Sequence, residues 1–243
     1  LNGGDRWCLW LVNTPPSDLR ASRELSTRIA AVADLRSRSK KQKTRDDASR
    51  PWEFQEMRQP QDRYIALPRV TSERRRYLPC EYFDPSVIVN DQVFTINDNS
   101  LETFGIISSR IFRIWADAIS GRLKSDLRLS AEITYNNFPW PVLSAEKAGR
   151  IENAADGVLV VRGHLLGEGR NVTLADLYDP TTMPKQLQDA HEELDRAVLS
   201  AVGLRADATE AAILAKLFDL YRDLIGGTLL DPEPVRKTRR HAA

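Results

Sequence analysis

Tyr135-Asn136-Asn137-Phe138-Pro139-Trp140-Pro141 follows a polar run from Gly121 to Ser130 that carries Arg122, Lys124, Asp126 and Arg128. Proline lacks a backbone donor and restricts the residue before it, so two prolines in seven residues exclude an ordinary helix or a central strand. The segment reads as a rigid, extended connector with exposed hydrogen-bonding groups beside a basic stretch. Such a combination could present side chains to nucleic acid. Upstream of it strand and helix patterns alternate; downstream only helical periods occur. The fold class expected is α+β: a mixed sheet-and-helix unit to about Trp140, then an all-helical unit.

Upstream, residues 5–12 read as an aromatic and aliphatic strand that Pro15 and Pro16 break. A helix is expected from Ser17 to Arg36, where Leu25, Ile29, Val32 and Leu35 recur at three and four residues. Residues 37–50 are charged and nearly devoid of apolar side chains. They read as a solvated linker, with phosphate contact by Lys40 and Lys41 as the functional alternative. Strands are expected at 64–70, 76–80, 87–89 and 92–96, with Asn90-Asp91 as a turn pair. Pro68 and Pro79 suggest edge positions or strand ends. Residues 101–119 form one helix with a wide apolar face that includes Phe104, Ile107, Ile111, Ile114 and Trp115, ended by Gly121.

Downstream, helices are expected at 144–166, 184–202 and 209–225, with one short turn at 173–178. Residues 231–243 are rich in charge and proline and read as a disordered tail.

Composition narrows the classes. The 243 residues suffice for one large domain or two small ones, and 42% hydrophobic content supports a packed core. A net charge of +1 does not announce a polyanion partner, so local clustering matters more than the sum. Cys8 and Cys80 have no metal spacing and make no disulfide framework, which favours a reducing, cytoplasmic setting. No run of about 18 apolar residues suggests a membrane helix, and no secretory signal opens the chain. The chain starts at Leu1 inside a structured-looking run, as a piece of a longer protein would.

Catalytic constellations are missing from the pattern. Asn2-Gly3-Gly4 and Ile225-Gly226-Gly227-Thr228 lack the strand–loop–helix frame of a phosphate loop. His164, His191 and His241 have no metal-spaced partners and read as packed or solvated. Adenine methyltransferases use an Asn/Asp-Pro-Pro-aromatic loop that holds a flipped base. Asn13-Thr14-Pro15-Pro16 and Asn136-Asn137-Phe138-Pro139 both miss it. No catalytic, cofactor-binding or metal residue is therefore assigned.

Base readout is the better lead. From Arg122 to Ser130 polar residues alternate with Leu123, Leu127 and Leu129. An extended run would put Lys124, Asp126 and Arg128 on one face and bury the leucines on the other. Arginine can bond guanine bidentately and a carboxylate can accept from cytosine. The plainer alternative is a half-buried edge strand with a charged outer face. Arg74, Arg75 and Arg76 cannot all face one way, so at least one packs inward. The others, with Arg122, are candidates for phosphate contact.

Several phrases resemble the C-terminal third of MmeI-like, type IIL restriction–modification DNA methyltransferases. They are residues 1–11, Pro51-Trp52-Glu53-Phe54, residues 67–77, residues 121–128, the connector 135–141, Leu177-Tyr178-Asp179-Pro180 and Met183-Pro184. The resemblance implies a linker helix and the end of a methyltransferase region over 1–50, a target recognition domain over 51–140 and a helical domain over 141–228, with a disordered tail over 229–243. It implies base reading near Lys124, Asp126 and Arg128. It also implies double-stranded DNA and a methyltransferase catalytic domain or subunit as partners, with no membrane. Catalysis with S-adenosylmethionine would belong to a part of the family protein that this chain lacks. The reading expected is a sequence-recognition module of an adenine-N6 DNA methyltransferase. The rival is a non-DNA-binding interaction remnant that only complements a separate methyltransferase subunit.

Overall fold

The computed structural model describes Gly4, residues 6–168 and residues 172–230. The tail from 231, His241 and the phrase Leu1-Asn2-Gly3 with Asp5 lie outside the described residues. The chain divides into two compact units, Asp5–Arg58 and the rest.

In the first unit, residues 6–11 form no strand, and Trp7 is 97% exposed. Their aromatic side chains pack rather than pair: the Trp10 and Phe54 rings lie 5.4 Å apart. The helix expected from Ser17 to Arg36 is two helices, α1 (Pro16–Ala21) and α2 (Arg23–Ser37). Ser22 breaks it with extended backbone, and its hydroxyl accepts from Leu25 N at 3.3 Å as the N-cap of α2. Leu35 is 73% exposed, so the apolar face of α2 ends a turn earlier than expected.

The expected linker is folded. Residues 42–46 form α3 (Gln42–Asp46), followed by a 3-10 turn over Asp47–Ser49. One cation holds its C-terminal end: the Arg36 guanidinium donates to the carbonyls of Asp47, Arg50 and Glu53 at 3.0, 2.8 and 2.7 Å. A charge-rich composition does not reveal that its carbonyls have a fixed donor.

The second unit begins with β1 (Tyr64–Pro68), β2 (Val70–Thr71), β3 (Glu81–Phe83) and β4 (Val93–Ile96). β1 is the centre of an antiparallel sheet in the order β3-β1-β4 and is buried along its whole length. Pro68, its last residue, sits at a strand end as expected. Residues 76–80 and 87–89 are not strands. Tyr77, Leu78 and Cys80 are apolar because they are buried in the core, at 1, 0 and 0% exposure, without entering a ladder.

α4 (Leu101–Ser108) and α5 (Arg110–Ile119) replace the single helix expected over 101–119. Ser109 interrupts them with extended backbone, and the freed Arg110 N–H donates to Asp195 Oδ1 at 2.7 Å. Gly121 does not cap α5; it opens β5 (Gly121–Leu123), which turns back into β6 (Asp126–Arg128). The second sheet runs β2-β6-β5. Arg69 joins the two sheets: its N–H donates to Gln92 O at 2.9 Å, and its carbonyl accepts from Leu129 N at 2.8 Å.

The connector is less exposed than its composition suggests. Ala131–Tyr135 is one wide helical turn, and Tyr135 and Phe138 are buried at 2 and 4%. Phe138 packs against Phe112, Trp115 and Trp140 at 5.1, 6.1 and 5.1 Å. Asn137 Nδ2 donates to Glu132 O and Ile133 O, closing the turn.

The helical part comprises α6 (Ala145–Glu168), α7 (Leu174–Leu177), α8 (Lys185–Ala201) and α9 (Glu210–Leu230). It shares its core with the sheet part. Gly105 of α4 lies so close to α6 that an added Cβ would stand 2.7 Å from Ile151 Cγ2 and 3.2 Å from Ala155 Cβ. Arg162 of α6, 2% exposed, donates to Cys80 O at 2.7 Å and to Glu81 Oε2 at 2.5 Å.

Candidate nucleic-acid interface

Because β5 and β6 form a hairpin, the polar run is not one extended strand. Lys124 and Ser125 make the turn, and Lys124 takes a positive φ of 58°, a costly backbone for a residue with a Cβ. Lys124 therefore stands at the tip and not in line with Asp126 and Arg128. Leu123, expected inside, is 51% exposed because the reversal sends it to the outer face opposite Asp126. Leu127 and Leu129 are buried at 0 and 4% as the alternation requires.

Pairing Gly121 with Arg128, Arg122 with Leu127 and Leu123 with Asp126 fixes the faces. Asp126 and Arg128 share the outer face; Arg122 shares the inner one with Leu127. The side chains of Lys124, Asp126 and Arg128 make no hydrogen bond or ion pair with any described residue. Arg122 is 41% exposed and pairs with Asp117 of α5 at 3.3 Å.

The arginine loop adjoins this hairpin. β2 pairs with β6 through Val70–Arg128 and Thr71–Leu127, and the loop over 72–76 leaves directly from Thr71. Its three arginines diverge, as their adjacency demands. Arg75 Nη2 donates to Ala175 O at 3.3 Å, and Arg76 pairs with Glu192 at 3.3 Å, both toward the helical part. Arg74 is exposed and makes no side-chain hydrogen bond to a described residue. Asp179 is held below the usual carboxylate range chiefly by hydrogen bonds from Thr181, with the charges of Arg74 and Arg75 adding to the effect.

Lys40 and Lys41 lie in the other compact unit, exposed between α2 and α3. Their neighbour Lys43 is paired with Glu56 at 3.6 Å.

The sequence reading missed the residues that fix this geometry. Arg113 of α5 is 4% exposed; its Nε donates to Arg75 O and its Nη2 to Glu73 O, both at 2.9 Å. One turn later Asp117 pairs with both Arg113 and Arg122. The available signal was a charged residue, Arg113, set inside the apolar run from Ile111 to Ala116. Arg162 gave a similar signal, continuing the buried stripe Ile151, Ala155, Val158 at helical spacing.

His191 is packed, not a ligand: its ring stacks on Tyr77 at 4.1 Å, and its Nε2 lies 2.8 Å from Tyr178 Oη. Among the described residues no group of three metal-ligating side chains occurs, and no helix is long and apolar enough to cross a membrane. Both described sheets are small and antiparallel, and none of their turns carries a glycine-rich loop.

Comparison with known proteins places this geometry in a family. Residues 1–142 match the family model described as "MmeI, target recognition domain", and residues 143–229 match "MmeI, C-terminal domain". DNA methyltransferase A of Bacillus subtilis (strain 168) is 34% identical over 224 residues, covering 92% of this chain and 25% of that protein. The solved structure of the type IIL restriction–modification enzyme MmeI in complex with DNA superposes with a TM-score of 0.85 at 36% identity. That match covers 90% of this chain and 29% of the other. The chain thus spans about a quarter of the length of these relatives. It belongs to the MmeI family, of which it carries the target recognition domain and the C-terminal domain.

Proposed function

We propose that this chain recognises a short sequence in double-stranded DNA on behalf of a DNA methyltransferase. The observation that carries the reading is the β5–β6 hairpin. It holds Asp126 and Arg128, unpaired among the described residues, on one outward face, with Lys124 at its tip, beside a loop that offers Arg74. An Arg can bond guanine O6 and N7 together, and an Asp can accept from cytosine N4. Residues two apart on a strand stand roughly 7 Å apart, the length of about two base-pair steps. The pair can therefore address base edges about two steps apart from one strand.

Phosphate contacts fall to Arg74, Lys40, Lys41 and the unused donors of Arg75. Arg122 would contribute only by sharing its guanidinium with Asp117. These contacts set affinity and its salt dependence, while the hairpin sets sequence. The domain limits follow the resemblance: recognition to about Trp140, a helical domain beyond it. The base modified is taken to be adenine, methylated at N6. S-adenosylmethionine and the catalytic residues would be supplied by a methyltransferase domain or subunit outside this chain. Cytoplasm is the compartment in which such a partner and DNA meet in a bacterium.

A gel-shift titration of the chain on random duplexes at several salt concentrations tests this. Binding that weakens steeply with salt is expected. No binding even at low salt would sink the recognition reading and favour a remnant that only contacts other protein.

A further inference from the structure

The hairpin and the arginine loop are tied from below by a single helix. Arg113 is buried on α5 and spends its guanidinium on the loop backbone, donating to Glu73 O and Arg75 O at 2.9 Å each. Asp117, one turn on, forms an ion pair with Arg113 and also pairs with Arg122 of β5 at 3.3 Å. The loop and the hairpin thus hang on adjacent turns of α5 through one continuous set of charges.

Helix α5 is itself anchored. Its first N–H is held by Asp195 of α8, and Trp115 Nε1 donates to Thr134 O at 2.9 Å. A guanidinium presents its donors in a rigid fork, which suits it to hold two carbonyls and a carboxylate at once. An ammonium at the same place could not keep that geometry.

We infer that Arg113 and Asp117 are positioning residues: they hold the arginine loop and the reading hairpin in one register, so that phosphate contact by the loop aims the hairpin at the base edges. The inference rests on the recognition reading for its functional half and on the contacts alone for its structural half. Base readout needs placement to a fraction of an ångström, whereas phosphate attraction tolerates looseness. Loosening this tie therefore acts on sequence preference first.

The test compares wild type, Asp117→Asn, Asp117→Glu and Arg113→Lys of the full chain, each by amide hydrogen exchange and by binding to its selected duplex against random duplex. Asp117→Asn and Arg113→Lys are expected to speed exchange in both residues 73–76 and residues 122–128. Each should lower the selected-over-random ratio about tenfold, the size of one lost base contact. Asp117→Asn removes a negative charge, so general attraction to DNA cannot weaken through charge. A fall in the ratio then reports lost aim. Asp117→Glu keeps a carboxylate and should recover most of the preference. Unchanged exchange in one of the two segments, or a ratio that stays at the wild-type value in Asp117→Asn, overturns the inference. Failure of the recognition reading is distinguishable, because it shows as a wild-type protein without sequence preference.

Discussion

Tyr77 Oη donates to Asp195 Oδ2 at 2.9 Å, joining residues 118 positions apart and locking the sheet part to helix α8. The other oxygen of Asp195 accepts from Arg110 N at 2.7 Å, at the break between α4 and α5. Burial raises the Asp195 carboxyl above its ordinary range, and these two hydrogen bonds oppose that shift. One carboxylate thus ends one helix interruption and fastens one ring.

Tyr77→Phe keeps the ring and its stacking on His191 but leaves Asp195 Oδ2 without this donor. A buried acceptor left unmade costs about 1–3 kcal/mol. Urea unfolding of Tyr77→Phe should show a loss in that range. A loss near zero would mean that Asp195 is satisfied otherwise.

Gly105→Ala sets helix propensity against space. Alanine in a helix gains about 1 kcal/mol over glycine. Here its Cβ would stand 2.7 Å from Ile151 Cγ2, a methyl on a stiff β-branched side chain that cannot swing aside. Overpacking a core costs about 1–3 kcal/mol, so the net effect is a lower melting temperature. A rise on calorimetry would show that α4 and α6 separate freely.

Acid should weaken the fold through His191. Burial, followed by the nearby charge of Arg162, lowers its imidazole to about 3. The folded ring stays neutral where the unfolded one, near 6.5, takes up a proton. The unfolded state then binds more protons, so this contribution is full above about 6.5 and falls by up to about 1.4 kcal/mol per pH unit as pH drops toward 3. The raised carboxyl of Asp195 acts in the opposite sense, but it is present in a His191→Gln variant too. Unfolding free energies of wild type and His191→Gln should therefore converge between pH 6.5 and 4.5. Parallel curves would contradict a buried neutral ring.

The long helices of the second half were legible because their apolar period is uninterrupted: α6 and α8 fall where the spacing puts them, and α9 begins there and runs on to Leu230. The break at Ser109 was not, since both flanking halves keep the period and the acceptor for the freed Arg110 N–H is Asp195, 85 residues beyond Arg110. Residues 76–80 misled because burial against α8 demands the same apolar side chains as a strand. At the candidate site, alternation placed Asp126 and Arg128 together. It misplaced Lys124, because Lys124-Ser125 is not a pair whose chemistry announces a turn. The folded end of the segment over 42–49 was hidden because a cation that holds it, Arg36, lies outside it.

The central claim is that the hairpin reads bases while Arg74 holds backbone. The most direct measurement is selection of bound duplexes from a random library with wild type, Arg128→Ala and Arg74→Ala, at one fixed salt concentration. Arg128→Ala should change the preferred base at one or two positions, with a loss of about 1–3 kcal/mol confined to the original sequence. Arg74→Ala should weaken all sequences by a similar factor and leave the preference intact. An unchanged preference in Arg128→Ala, with equal loss on every sequence, would contradict the account.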